Sequence, residues 1–173
     1  MSKEMTTTSH STRDPIAEAR RQWVAHGWDD AAPGMAAVTT ITRVQQIVTA
    51  RVEEALSPFG LSFARFEIMR LLGFTRTGRL PMGKISDRLQ IHPASVTSAV
   101  KRLEREGLIR RQPDAADNRV VLASLLPEGQ RVLEPATAAV NEVFESTGLV
   151  DEEIEQLIEL LNPIRALAGD HTE

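Results

Sequence analysis

The sequence contains no cysteine and no tyrosine among its 173 residues. The first absence excludes disulfides, thiolate metal sites and sensing of oxidants through a thiol. Catalysis has little to work with, because no nucleophile elbow is present and the four histidines, His10, His26, His92 and His171, stand at spacings that suggest no metal site. No enzymatic activity and no cofactor are expected. No apolar run approaches the roughly 18 residues that a membrane helix requires. The N-terminal stretch MSKEMTTTSHSTRD lacks an apolar signal core, so a cytoplasmic protein without membrane contact is expected. What is present is a 42% hydrophobic content, enough to bury one good core and most simply a single domain.

Charge is distributed more tellingly than its sum. The formal net charge is −4, which by itself argues against nucleic acid. Residues 61–119, however, hold 12 lysines and arginines against 6 acids, whereas residues 1–60 hold 6 against 7 and residues 120–173 hold 2 against 11. A basic middle between acidic flanks fits a DNA-facing surface on an otherwise acidic body.

The basic middle also carries the clearest pattern, between Leu80 and Leu126. Met82, Ile85 and Leu89 recur at helical spacing, so Pro81 to Leu89 reads as a short amphipathic helix with proline at its first position. Gln90 to His92 is a turn, which His92 caps or orients. Pro93 opens a second helix with an apolar stripe of Val96, Val100 and Leu103, and Gly107 stops it. Leu108 to Gln112 and Val120 to Leu125 flank Pro-Asp-Ala-Ala-Asp-Asn, turn chemistry that makes them two antiparallel strands. Helix, turn, helix and hairpin in that order make a winged helix-turn-helix, within a mainly α fold with a small β wing.

The stripe leaves Ser95, Thr97, Ser98, Lys101, Arg102 and Arg105 on the other faces of the second helix. Small hydroxyls near a helix N-terminus let the backbone approach DNA, and lysine or arginine further along reaches guanine or phosphate. Ser95, Thr97, Ser98, Lys101 and Arg102 are therefore candidate major-groove residues, with Asp117 and Arg119 at the wing and Ser62 and Arg65 at the start of the preceding helix as further DNA-binding candidates. Taken alone, such a face is an ordinary solvated helix surface. The alternative function is a winged-helix module for protein contacts without DNA. Gly78 to Ile85 falls one residue short of a phosphate-cradling loop, but Ile85 replaces the hydroxyl that would hold Mg²⁺ and Pro81 removes a backbone donor, so nucleotide binding is set aside.

Outside this segment the chain reads as helices. Pro15 to His26 carries Ile16, Ala19 and Trp23 at helical spacing, and Asp29 to Gly34 reads as a linker. Met35 to Leu56 repeats Val38, Ile41, Val44, Val48 and Val52, a helix long for a monomer's own core. Pro127 to Ser146 and a last helix capped by Asp151 complete the chain, with Pro135 and Pro163 expected to bend them. The expected division is a flexible tail over residues 1–13, N-terminal helices over 14–60, a DNA-binding domain over 61–126 and C-terminal dimerisation helices over 127–173. Apolar helices on both sides of a DNA-binding module commonly pack against a second copy, which predicts a homodimer on a pseudo-palindromic operator of double-stranded DNA.

Four stretches together carry a family resemblance: LSFARFEIMRLL before the first short helix, HPASVTSAVKRLEREGLI at the second, Asp114, Asp117, Asn118 and Arg119 in the wing, and Leu126-Pro127-Glu128-Gly129 opening the next helix. From Leu61 to Phe144, about half the chain, the sequence resembles the multiple-antibiotic-resistance regulator (MarR) family of bacterial transcription factors. The resemblance implies a homodimeric regulator, usually a repressor, released from its operator by a small molecule. Two positions depart from the family pattern: Asn118 stands where arginine is usual, and Leu126 where a threonine would cap the helix.

The added helix before the long one resembles the branch that responds to urate and similar aromatic anions. By that resemblance Trp23, Glu67 and Arg111 fill three places of the ligand pocket, while Ala99 stands where a second arginine is expected. An aromatic, carboxylate or acyl-thioester effector is implied, with His26, Phe63, Phe66 and Met69 as further lining. Plain core packing is the competing role for Trp23.

Overall fold

The computed structural model describes residues 14–170. The tail expected over residues 1–13 lies outside the described residues. The chain divides into two compact units between Ala50 and Arg51.

In the first unit, α1 (Pro15–Ala25) begins where the Asp14 carboxylate accepts the Ile16 N–H at 2.9 Å, with proline at the first helical position. His26 caps its end and Gly27 turns the chain at φ +79°. Trp28 then packs edge-on against Trp23, ring centroids 5.4 Å apart, and stacks on His26 at 5.8 Å. The long helix α2 (Ala32–Leu56) starts three residues before Met35, so the expected linker from Asp29 to Gly34 shrinks to its first half. Pro33 and Gly34 lie in the first turn, where a missing N–H costs nothing because that donor has no helical partner.

The second unit holds the end of α2 from Arg51, then α3 (Phe63–Gly73), β1 (Arg79–Pro81), α4 (Met82–Leu89), α5 (Pro93–Arg105), β2 (Ile109–Pro113), β3 (Val121–Leu125), α6 (Pro127–Glu145) and α7 (Asp151–Leu167). Its core is mostly aliphatic, with Phe66 as its buried aromatic. Ile68, Met69 and Leu72 of α3, Ile85 of α4, Val96, Val100 and Leu103 of α5, Ile109 of β2 and Leu133 and Val140 of α6 are all buried in one cluster. The stripe Val96-Val100-Leu103 is thus what fixes α5 to the body and turns its other face outward.

The hairpin forms as expected, β2 pairing antiparallel with β3 in the register Arg111 to Ala123. A third strand was not foreseen: β1 pairs with the other edge of β3, Leu80 opposite Ala123, giving the order β1-β3-β2. Pro81 consequently ends a strand and caps α4 instead of opening it. The near-phosphate loop from Gly78 to Ile85 is this strand and the first turn of α4.

One further helix start differs in detail. Asp151 is the first residue of α7 and Val150 its cap, and the Glu153 carboxylate accepts the Val150 N–H at 3.1 Å. Asp151, Glu152 and Glu153 together place negative charge at the positive end of the helix dipole. Leu126 caps α6 without a side-chain bond, as its chemistry demands. The start of α6 is secured otherwise: the Leu108 carbonyl accepts the Leu126 N–H at 3.0 Å, and Gly129 lies so close that a Cβ there would fall 2.2 Å from the same oxygen. Helices α6 and α7 run through Pro135 and Pro163.

Candidate nucleic-acid interface

The turn between α4 and α5 is built by three local bonds. Gln90 takes the left-handed conformation at φ +52°, ψ +36° and ends α4, its N–H donating to the Ser86 carbonyl. Ser86 Oγ, buried, donates to the Ile91 carbonyl at 2.6 Å, and His92 Nδ1 accepts the Ala94 N–H at 3.2 Å, the capping expected of it. Pro93 then occupies the first helical position.

On α5, Ser95, Ser98, Lys101 and Arg102 are exposed. Thr97 is half-buried and its hydroxyl donates to the Pro93 carbonyl at 2.9 Å, which leaves only its lone pairs for an outside donor. At the wing tip, Arg119 has 91% of its side chain exposed. Asp117 positions it: one carboxylate oxygen accepts the Arg119 N–H at 3.0 Å and Nε at 3.1 Å, the other accepts Nη2 at 3.2 Å. Those bonds hold the Asp117 carboxyl below the usual aspartate range.

Two residues expected at DNA are turned to internal work. Ser62 caps α3, its hydroxyl accepting the Arg65 N–H at 3.4 Å. Arg65 keeps only 8% of its side chain exposed and donates to Glu106 at 2.8 Å and to the Gly60 carbonyl at 2.5 Å. Its guanidinium joins the start of α3 to the end of α5.

The residues expected to line an effector pocket are only partly brought together. Phe63, Phe66 and Glu67 line a cavity of about 230 Å³ with Arg70, Leu71, Phe74, Leu89 and Phe144. Burial pushes the Glu67 carboxyl above the usual glutamate range. Met69 is fully buried in the core and is not among the residues that line this cavity. Arg111 is engaged away from the slot, its guanidinium 2.6 Å from the Glu104 carboxylate. Trp23 and His26 belong to the first unit, where both pack against Trp28.

Sequence reading missed Arg70, the one cation of the slot. Its guanidinium lies 4.4 Å from the Phe74 ring centroid, and Nε is buried without a hydrogen-bond partner among the described residues. The spacing of Glu67 and Arg70, one helical turn apart, was the available signal. Among the described residues no group of histidine and acidic side chains could hold a metal, and no helix is long and apolar enough to cross a membrane.

This geometry has close counterparts. The sequence profile of the MarR family matches residues 61–121, from just before α3 to the first residue of β3. The crystal structure of Sco5413, a MarR family transcriptional regulator from Streptomyces coelicolor, is 41% identical and superposes over 82% of this chain and 99% of its own with a TM-score of 0.72. The chain belongs to the MarR family. A relative by sequence is the HTH-type transcriptional regulator PecS of Dickeya dadantii, 27% identical over 165 residues that span 89% of this chain and 90% of PecS. CouR from Rhodococcus jostii RHA1, solved bound to p-coumaroyl-CoA, is 26% identical, covers 72% of this chain and 88% of its own, and has a TM-score of 0.64. As a MarR-family member the protein is a transcriptional regulator, and the expectation of a regulator over an enzyme holds.

Proposed function

We propose that this MarR-family regulator is a homodimer that reads a pseudo-palindromic operator as a repressor and leaves it on binding a small effector. The carrying observation is the split of α5 into two faces. Val96, Val100 and Leu103 are buried, while Ser95, Ser98, Lys101 and Arg102 are exposed beside a wing whose Arg119 is almost fully exposed. Ser95, Thr97, Ser98, Lys101 and Arg102 enter the major groove, and Arg119, braced by Asp117, enters the adjacent minor groove. Dimerisation uses the apolar residues left exposed on α7, Leu157, Ile158, Leu160 and Ile164, and on α2, Val38, Ile41, Val44 and Val48.

The effector occupies the slot lined by Phe63, Phe66, Glu67 and Arg70. Its volume, about 230 Å³, is below the roughly 300 Å³ at which drug-sized pockets begin, so it suits a single aromatic ring. Arg70 faces the negative group of an aromatic carboxylate; for a thioester such as the one CouR holds, only the aromatic acyl end would enter. Leu89 also lines the slot and is the last residue of α4, directly before the turn into α5. A ligand there acts on the recognition helix through one packed side chain, and it dissociates DNA to the extent that it prefers the unbound form.

Gel-shift titration against the DNA upstream of the protein's own gene, with and without benzoate and cinnamate derivatives, tests the reading. The expected result is a shift at low salt that one of these acids reverses. No shift at low salt contradicts it.

A further inference from the structure

Of Lys101 and Arg102, adjacent exposed basic side chains of α5, one is free and one is held. Lys101 makes no ion pair among the described residues, whereas Arg102 Nε donates to Glu106 Oε1 at 3.0 Å, one helical turn on. Glu106 is itself anchored from behind. Its other carboxylate oxygen accepts Arg65 Nη1 at 2.8 Å, and Arg65, buried, also donates to the Gly60 carbonyl at 2.5 Å and reaches Ser62 Oγ at 3.4 Å. The Glu106 backbone N–H closes α5 on the Arg102 and Glu104 carbonyls. A relay therefore runs from the loop before α3 through Arg65 and Glu106 to an exposed arginine of the recognition helix.

We infer that Glu106 is the positioning residue for Arg102, and that this pair, braced by Arg65, sets sequence discrimination while Lys101 supplies charge. The inference rests on the DNA-binding reading above. Its physics is that of preorganisation. A guanidinium donates in a fixed planar fork, and tying Nε to a carboxylate leaves both Nη groups outward, the edge that pairs two-fold with guanine or phosphate. A flexible arginine would lose its rotamer freedom only on binding; here that loss is taken in the free protein. Arg65 matters because an unanchored Glu106 would swing with Arg102 and present a carboxylate to the phosphates. With Arg65 behind it, the carboxylate is both fixed and partly neutralised.

The test has an arm in free protein and an arm on DNA. In free protein, ¹⁵N relaxation of arginine Nε–H groups is expected to find Arg102 more ordered than Arg105, with the difference lost in Glu106→Gln and Glu106→Asp. An Arg102 as mobile as Arg105 in the wild type overturns the proposal whether or not DNA is bound. On DNA, affinities are measured for a footprinted operator duplex and a shuffled duplex of equal length. Both variants are expected to lower the operator-to-shuffled ratio about three- to tenfold, the value of one immobilised long side chain. Glu106→Asp keeps the charge, so an equal loss there assigns the effect to geometry.

Arg102→Ala completes a double-mutant cycle. Once Arg102 is gone, Glu106→Gln is expected to leave the ratio within about twofold of Arg102→Ala alone. A full additional loss in that background means that Glu106 acts through the pose of α5, and the proposal fails. Thermal unfolding of each variant identifies loss of fold as a separate cause. Should wild-type protein bind neither duplex, the DNA-binding reading fails, while the relaxation arm still decides whether Arg102 is held.

Discussion

Glu104 of the recognition helix grips Arg111 of the wing by two hydrogen bonds and an ion pair: one carboxylate oxygen accepts the Arg111 backbone N–H at 2.9 Å, and the other accepts Nε at 2.7 Å and lies 2.6 Å from Nη2. The helix and the wing are thereby held as one reading head, and the grip holds the Glu104 carboxyl below the usual glutamate range.

The pH dependence comes from that direction. A carboxyl lowered by folding stabilises the protein above its unfolded value, and the contribution is lost as pH falls through the lowered folded value. Glu104→Gln is expected to cost under about 1 kcal/mol at neutral pH, since the pair is partly exposed. Urea unfolding across pH checks it: the gap between wild type and variant should close below the ordinary glutamate range. A gap constant down to about pH 2, below the ordinary carboxylate range, would contradict an ionic grip.

Glu67 titrates with the opposite sign. Burial raises its carboxyl, so the ionised form costs stability above the raised folded value and the cost vanishes below the unfolded one. Glu67→Gln is expected to raise the unfolding midpoint slightly at neutral pH, with no difference in acid. A lower midpoint at neutral pH would mean that the carboxylate has a stabilising partner.

Gly129 has no room for a side chain. A Cβ would stand 2.2 Å from the Leu108 carbonyl oxygen, which also accepts the Leu126 N–H at 3.0 Å. Gly129→Ala is expected to destabilise by about 1–3 kcal/mol through overpacking, despite alanine's better helix propensity. Denaturant titration measures it, and a stabilised variant would show that the approach is looser than this.

Gln90 is the opposite case. It is the one non-glycine residue at positive φ among those described, in a turn that glycine would take without strain. Gln90→Gly is expected to stabilise by about 0.5 kcal/mol, the left-handed cost less glycine's larger unfolded entropy. A clear loss in thermal unfolding would assign real value to its exposed bond with Asp170.

The winged segment was legible because its signals are periodic and local: Val96, Val100 and Leu103 at helical spacing, Pro93 opening and Gly107 closing. Strand β1 was not, because three residues ending in proline carry no period and pair only with a strand more than 40 positions away. The two arginines fared differently for the same reason. Sequence gives Arg65 and Arg70 their charge but not their burial, and only the fold turns one toward Glu106 and the other into an aromatic slot. Met69 shows the converse, an apolar residue whose α3 spacing fits slot or core equally until packing decides.

The central claim is that α5 and the wing meet the DNA backbone and bases as a charged surface. Measuring operator affinity across a range of roughly 50 to 200 mM salt tests it most directly. Each phosphate neutralised contributes a log-log slope of roughly −0.9, so a dimer with several contacts per half-site should fall steeply, and Arg119→Ala should flatten the slope by nearly one unit for each subunit. Affinity indifferent to salt, with a slope unchanged in Arg119→Ala, would contradict the account.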